Sequence, residues 1–174
     1  MGAVAPRSAW SPNFDAQKEG TGCPMCADGG NRNDFGARFR HGRWTDAYLG
    51  RRPVRPGYAY VVWTGPHVAE PTELDPHEAA GFWAEVAIAA SAIEARYRPR
   101  KMNWMSLGNG VPHLHVHLVP RHDDDPDAGG PVEAEAFDAA SVTPLDDAVL
   151  ESEVAALRRL VDGGSSSTTP SSPH

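Results

Sequence analysis

The chain has 174 residues, of which 40% are hydrophobic, so it can form one compact domain but not two large ones. Its formal net charge is −7, which argues against a protein that binds nucleic acid or an anionic membrane surface. No apolar run approaches the roughly 20 residues of a membrane span, and no signal-peptide pattern opens the sequence. The predicted compartment is therefore the cytoplasm.

The N-terminal region contains a cysteine pair behind a segment without hydrophobic periodicity. The pair is Cys23 and Cys26 in the sequence CPMC, and these are the only cysteines of the chain. This spacing is compatible with a metal site, a redox pair or a chance occurrence without function. The redox interpretation is disfavoured, because the preceding segment does not resemble the strand that normally precedes a redox pair. A zinc ion bound by two thiolates needs two further ligands. The candidates are histidines, at positions 41, 67, 77 and 122 and in the stretch 113–117.

Several short segments predict β-strands, because they are rich in β-branched and aromatic residues or alternate in polarity. Two of them flank a turn at residues 41–42, and a loop with two prolines follows them. The last two strands are joined by the glycines of GNG, which predict a hairpin turn of two to three residues. The predicted strand segments are DFGARF, RWTDAYL, YAYVVWT, KMNWMSL and VPHLHVHLVP.

Two helices are predicted between and after these strands. The first covers residues 76–98, where Asp75 is the capping residue and Glu78 completes a capping box. The second begins with Thr143 as its cap and Pro144 in its first turn. Strands, helix, two strands and helix predict an α+β domain with an antiparallel sheet covered by helices. The predicted organisation is a flexible arm over 1–19, a domain over 20–162 and a disordered tail over 163–174.

The stretch PHLHVHLVPRH, residues 112–122, carries three histidines at alternate positions. Side chains of a strand alternate between its two faces, so the three imidazoles are predicted to point the same way. Three interpretations are open. The histidines face solvent without a function, all three bind one metal ion, or one of them attacks phosphorus as a nucleophile.

The stretch PHLHVHLVPR resembles the signature of the histidine triad (HIT) superfamily, in which three histidines alternate with hydrophobic residues. CPMC, RPGYAYVVWTGPH and GNG stand in the order in which that family has them, and the resemblance covers roughly residues 20–125. It is strongest to the zinc-carrying branch, which includes bacterial nucleotide hydrolases and, more distantly, galactose-1-phosphate uridylyltransferase. The resemblance implies the HIT-like α+β fold.

The resemblance also implies roles for the histidines and cysteines. His115 would attack the α-phosphorus of a nucleotide and form a nucleotidyl-histidine intermediate, and His117 would bind the phosphate and help the leaving group depart. A structural zinc ion would have four ligands and no open position, so it would not activate water. The implied ligands are Cys23, Cys26, His67 and His113.

The implied partner is a nucleotide or nucleotide conjugate, bound in part by the turn before the triad. Many family members have Gly-Gln where this chain has Gly-Asn, so that contact differs here. The predicted nucleotide-binding residues are Asn103, Gly108, Asn109 and Gly110. Two alternatives are a nucleotidyl transferase with a phosphate acceptor and a nucleotide-binding protein of low activity. A metalloenzyme with all three histidines on one ion is disfavoured, because CPMC offers that ion softer ligands.

The helix 76–98 also predicts a homodimer. Its central sequence FWAEVAIAASAI has apolar or small residues around most of the circumference, more than one covered face requires. Members of the HIT family usually pair as well, and a two-fold dimer is the commonest oligomer of soluble proteins.

Overall fold

The computed structural model describes residues 10–27, 29–126, 128–132 and 142–164. Five strands form one antiparallel sheet in the order β1-β2-β3-β5-β4, so that β1 and β4 are its edges. The strands are β1 Gly36–His41, β2 Thr45–Gly50, β3 Ala59–Trp63, β4 Lys101–Met105 and β5 His115–Arg121. The helices are α1 Phe14–Lys18, α2 Pro24–Ala27, α3 Pro76–Tyr97 and α4 Asp147–Gly164.

The sheet has one face covered by α3 and α4 and an opposite face that carries His115 and His117. Alternation along each strand sends small and aliphatic side chains to the helix side, where they form the main core. This arrangement confirms the predicted α+β fold. None of the helices in the described ranges combines the length and the hydrophobicity needed to cross a bilayer. The strand residues of that core are Ala37, Phe39, Ala47, Leu49, Ala59, Val61, Trp63, Met102, Val116 and Leu118.

The long helix α3 begins where the sequence predicts. The Asp75 carboxylate accepts hydrogen bonds from the backbone N–H groups of His77 and Glu78, both at 2.8 Å, and Glu78 completes the capping box. The helix ends at Tyr97, one residue before the predicted end, because the capping residue Arg98 has a left-handed φ of 49° that cannot continue the helix. The start of α3 is therefore defined by its own sequence.

The start of α4 differs from the prediction. Thr143 and Pro144 lie before the helix, which begins at Asp147. The cap is instead provided by Asp146, whose side chain accepts a hydrogen bond from the N–H of Ala148 at 2.8 Å. Asp146 lies three residues after Thr143, and aspartate caps a helix as well as threonine does. Local capping preference therefore does not decide where α4 begins.

Three other boundaries also differ from the predictions. The connection between β4 and β5 covers residues 106–114, not two to three residues, and the strand begins only at His115. At the termini, α1 lies inside the segment predicted as a flexible arm, and α4 continues two residues into the predicted tail. The flexibility of the arm and the disorder of the tail stay predictions, and residues 1–9 and 165–174 lie outside the described residues.

A buried carboxylate fastens the β1–β2 turn to helix α3. Glu85 accepts hydrogen bonds from the backbone N–H groups of Arg43, Trp44 and Thr45 at 2.8–3.1 Å. It also accepts one from the Thr45 hydroxyl at 2.9 Å and lies 3.1 Å from the Arg40 guanidinium. Desolvation raises the pKa of Glu85, but these donors outweigh it, so the pKa lies below its usual value. The turn is therefore bound to an ionised side chain of the helix.

Replacing Glu85 with Gln is expected to lower the free energy of unfolding by about 2–3 kcal/mol, because an amide presents N–H groups to donors that need an acceptor. Because the folded-state pKa is depressed, the ionised carboxylate stabilises the wild type above its unfolded-state pKa, and this stabilisation is lost as the pH falls through the folded-state value. Urea denaturation of both proteins at several pH values measures the difference. The exposed Glu94→Gln change on the same helix is the control and should stay within about 0.5 kcal/mol.

Candidate functional site

The face of the sheet opposite the helices carries two of the three triad histidines. In the register of β3 and β5, His115 lies opposite Val62 and His117 lies opposite Tyr60. His113 precedes the strand, so the strict alternation predicted for three imidazoles applies only to the last two. His113 instead turns its ring toward the cysteines. The row of histidines is thus divided between two sites that share one segment of chain.

His115 is held by the backbone of His113. Its Nδ1 lies 2.6 Å from the His113 carbonyl oxygen, which can only accept a hydrogen bond, so Nδ1 carries the proton and Nε2 carries the lone pair. The side chain is buried, and this burial lowers its pKa, so the imidazole is neutral. A neutral imidazole with a fixed tautomer is the form that can attack an electrophile through Nε2.

His117 lies between His115 and a tyrosine. Its Nε2 is 3.1 Å from Nε2 of His115, and its Nδ1 is 2.8 Å from the hydroxyl of Tyr58. The rings of His117 and Tyr58 are stacked, with centroids 6.0 Å apart. Tyr58 was predicted only as a strand residue and not as part of the site. Its role depends on the pairing of β3 with β5, which the sequence does not specify.

The four predicted metal ligands lie together. Their ligand atoms are all within 4.8 Å of one another, on Cys23, Cys26, His67 and His113. The Nδ1 of His113 is 3.4 Å from Sγ of Cys23 and 3.5 Å from Sγ of Cys26, and the Nδ1 of His67 is 3.2 Å from Sγ of Cys26. Chain segments 41 to 90 residues apart in sequence therefore converge on one point.

The hydrogen bonds around this cluster prepare both histidines as ligands. The Nε2 of His113 lies 2.8 Å from the Trp63 carbonyl, and that of His67 lies 3.1 Å from the Lys18 carbonyl. Each carbonyl fixes the proton on Nε2 and leaves the Nδ1 lone pair directed at the thiols. Burial and then the neighbouring Cys23 raise the pKa of Cys26 to about 11, which means that two adjacent thiols need a cation before they ionise. Two thiols and two neutral imidazoles suit tetrahedral zinc.

The predicted nucleotide-binding residues lie on β4 and in the connection that precedes the triad, and their role stays a prediction. Asn103 is on β4, and its Oδ1 accepts a hydrogen bond from Arg121 at 2.8 Å. Gly108 has a φ of 67°, a left-handed value that favours glycine, within the connection that leads into β5. Ser106, which was not predicted as a site residue, lies in the same connection. Its hydroxyl donates a hydrogen bond to the His115 carbonyl at 3.1 Å. The remaining predicted contacts, Asn109 and Gly110, lie in the same connection.

Two curated relatives are similar to about half of the chain. A bis(5'-adenosyl)-triphosphatase of Saccharomyces cerevisiae is 25% identical over 89 residues, which is 48% of this chain and 43% of the relative. A bis(5'-nucleosyl)-tetraphosphatase (asymmetrical) of Schizosaccharomyces pombe is 28% identical over 94 residues, half of each chain. The matched region spans no more than half the length of either relative, so their activities are not transferred by these matches alone.

Solved structures with the same fold cover more of the chain. A histidine triad protein from Marinobacter aquaeolei has a TM-score of 0.64 at 24% identity and covers 74% of this chain and 90% of its own. A zinc-bound histidine triad family protein from Mycobacterium smegmatis has a TM-score of 0.59 at 22% identity, with coverages of 83% and 96%. At this identity the likeness shows the fold alone.

A family model agrees with these structures. The model described as the HIT domain matches residues 45–124, which include β2 to β5, helix α3 and all three triad histidines. The predicted resemblance to the histidine triad family is therefore confirmed, and it is carried by residues 45–124, which match the HIT domain.

Proposed function

We propose that this protein hydrolyses a nucleotide conjugate at its α-phosphorus through a nucleotidyl intermediate on His115. The observation that carries the proposal is the tautomer of His115. Its Nδ1 proton is bound by the His113 carbonyl, which leaves Nε2 as a neutral nucleophile with a fixed direction. The names of the two curated relatives, which are dinucleoside polyphosphate hydrolases, support the substrate class.

The reaction has two displacements at one phosphorus atom. In the first, the Nε2 lone pair of His115 forms a bond to the α-phosphorus, and the bond to the leaving group breaks. In the second, water attacks the same phosphorus, the P–N bond breaks, the electron pair returns to Nε2, and one proton of the water is released to solvent. His117 lies 3.1 Å from that nitrogen, so its own Nε2–H is placed to donate to a phosphate oxygen beside the point of attack.

Replacing each triad histidine tests the assignment. His115→Ala should abolish turnover with little change in nucleotide affinity, because the nucleophile is lost while the pocket remains. His117→Ala should lower kcat by about 10²–10³-fold, the contribution of one donor to developing charge. The measurement is release of nucleoside monophosphate from a panel of adenylated and uridylated conjugates.

A trapped intermediate is the direct check on the same proposal. Wild-type protein quenched during turnover should carry an acid-labile, base-stable nucleotidyl label, and His115→Ala should carry none. The exposed His77→Ala change is the matched control and should label like the wild type. Label that persists in His115→Ala would contradict the assignment. Product formed only when inorganic phosphate is supplied would identify the acceptor as phosphate and the protein as a transferase.

We propose zinc as the ion of the Cys23, Cys26, His67 and His113 cluster, in a structural role. The four ligands fill a tetrahedral site and leave no position for water or substrate. The ion would join α2 to the segment before β5, and so would fix the approach to the triad. Reduced thiolate ligands are consistent with the cytoplasmic location predicted from the sequence.

Elemental analysis of purified protein should find about one zinc per chain. Cys23→Ser should lose the ion and lower the free energy of unfolding by about 4 kcal/mol, the linkage energy of a ligand at a thousand times its dissociation constant. His77→Ala removes a histidine outside the cluster and should keep the zinc. Metal-free wild-type protein of unchanged stability would refute the proposal.

We also propose that the protein forms a homodimer through the outer face of α3. This face exposes Trp83 and Ile88, at 41% and 43% of their surface, beside small residues at positions 80, 84, 87 and 91. Trp104, 42% exposed, lies on the edge strand β4 and adds a large apolar side chain. A second copy of the chain would cover this apolar stripe by two-fold symmetry.

Sedimentation at micromolar concentration should give about twice the monomer mass of 18.7 kDa. Ile88→Glu should give the monomer, because it would bury a charge at the centre of the interface. Val149→Glu is the matched control, since Val149 is an equally exposed aliphatic residue on α4 at 48%. It should leave the dimer intact, and a monomeric wild type would disprove the interface.

A further inference from the structure

We infer that Tyr58 positions His117 as a fixed Nε2–H donor, so that the site expels leaving groups that depart as stable anions and does not supply them with a proton. The inference rests on the proposed function and narrows its substrate class. It points to conjugates that release a phosphate or polyphosphate oxygen, and away from conjugates that release an amine or an alcohol.

A chain of hydrogen bonds runs from Tyr58 through His117 and His115 to the His113 carbonyl. Each of these bonds has only one possible direction. The His113 carbonyl can only accept, so His115 donates from Nδ1 and presents a lone pair at Nε2. The contact of that lone pair with Nε2 of His117, at 3.1 Å, then requires the proton to be on His117. A neutral His117 with Nε2–H has its lone pair on Nδ1, where the Tyr58 hydroxyl must donate at 2.8 Å. The His113 carbonyl thus determines the tautomers of both His115 and His117, and with them the direction of the Tyr58 hydroxyl.

This direction limits what His117 can do when a bond to phosphorus breaks. Its Nε2–H can donate a hydrogen bond to the departing atom. Complete transfer of that proton would leave an imidazolate, unless Tyr58 passed its own proton to Nδ1 and became a tyrosinate. Burial raises the pKa of Tyr58, so the tyrosinate is costly. Burial, and then the charge of neighbouring His115, lower the pKa of His117 to about 3, so the doubly protonated ring is also disfavoured at neutral pH.

The leaving group must therefore be stable as an anion, because it receives no proton when its bond to phosphorus breaks. When the P–O bond of a polyphosphate breaks, the electron pair stays on an oxygen that is a stable phosphate anion, and no proton is required. When a P–N bond breaks, the nitrogen departs as an unstable anion unless it receives a proton. A general acid typically contributes 10²–10⁴-fold to such a step. Because Tyr58 holds His117 in the neutral Nε2–H form, the site does not provide this general-acid catalysis.

The test is the dependence of kcat/KM on the leaving group, measured with the whole chain. Adenosine 5'-(p-nitrophenyl phosphate) and adenosine 5'-(phenyl phosphate) share the nucleotide and differ in the acidity of the phenol, whose unsubstituted pKa is about 10. Without a proton donor, the wild type should cleave the nitrophenyl ester at least about 100-fold faster. Rates within about threefold of each other would overturn the inference, because they would show that the leaving oxygen is protonated.

Tyr58→Phe separates positioning from packing. It removes the hydroxyl that donates to His117 and should lower kcat on diadenosine triphosphate by about 10–100-fold at nearly constant KM. Tyr97→Phe is the matched control, since it also removes one partly buried hydroxyl, 2.7 Å from Glu153 on the helix side of the sheet. It should leave both constants unchanged, and an unchanged kcat in Tyr58→Phe would overturn the positioning role.

Nitrogen-15 spectra of labelled histidine provide a readout that does not need turnover. His117 should be the Nε2–H tautomer in the wild type and in Tyr97→Phe, and should lose this single form in Tyr58→Phe. A proton on Nδ1 of His117 in the wild type would overturn the inference even if hydrolysis is observed. If the wild type cleaves none of the three adenosine compounds, the proposed function fails and the inference falls with it.

Discussion

The site depends on one residue that serves two neighbours at once. The ring of His113 faces the two cysteines, with its Nε2 bound to the Trp63 carbonyl, while its own carbonyl oxygen binds Nδ1 of His115. The position of the proposed nucleophile is thereby tied to the cluster of predicted metal ligands through a single residue. A displacement of the His113 backbone would change both the cluster and the carbonyl that sets the tautomer of His115. Structure and chemistry are not separable at this position.

This link explains why the triad does not lie on one strand. If His113 were part of β5, its carbonyl would be engaged in the ladder or directed away from the His115 ring. The strand instead begins at His115, and the preceding segment is held by other bonds, including one from the Leu114 N–H to the Val68 carbonyl at 2.8 Å. The irregular segment leaves a backbone acceptor beside the imidazole. The departure from regular β-structure is therefore what fixes the tautomer of His115, the proposed nucleophile.

The sequence predicted those elements whose signals are local. The start of helix α3 was correct because its cap Asp75 and the proline of its first turn are adjacent in the chain and need no tertiary contact. The four predicted metal ligands follow from spacing and family resemblance, and the structure brings their ligand atoms together, while the binding of a metal stays a prediction. The start of α4 was wrong, because Asp146 competes with Thr143 as a cap and local propensity does not decide between them. Tyr58 was missed, since only the pairing of β3 with β5 places it beside His117.

The proposed ligand is an anion, yet the chain has a net charge of −7. The two facts agree if the site binds phosphate through hydrogen-bond donors close to it and not through the electrostatic field of the whole protein. Burial keeps His115 and His117 neutral, so the triad contributes fixed N–H dipoles without a full positive charge. Neutral donors bind the charge that develops during displacement without holding an anionic product as tightly as a cation would. Acidic composition argues against nucleic acid as a partner but not against a small nucleotide, because binding of a single phosphate group depends on the donors within a few ångströms of it.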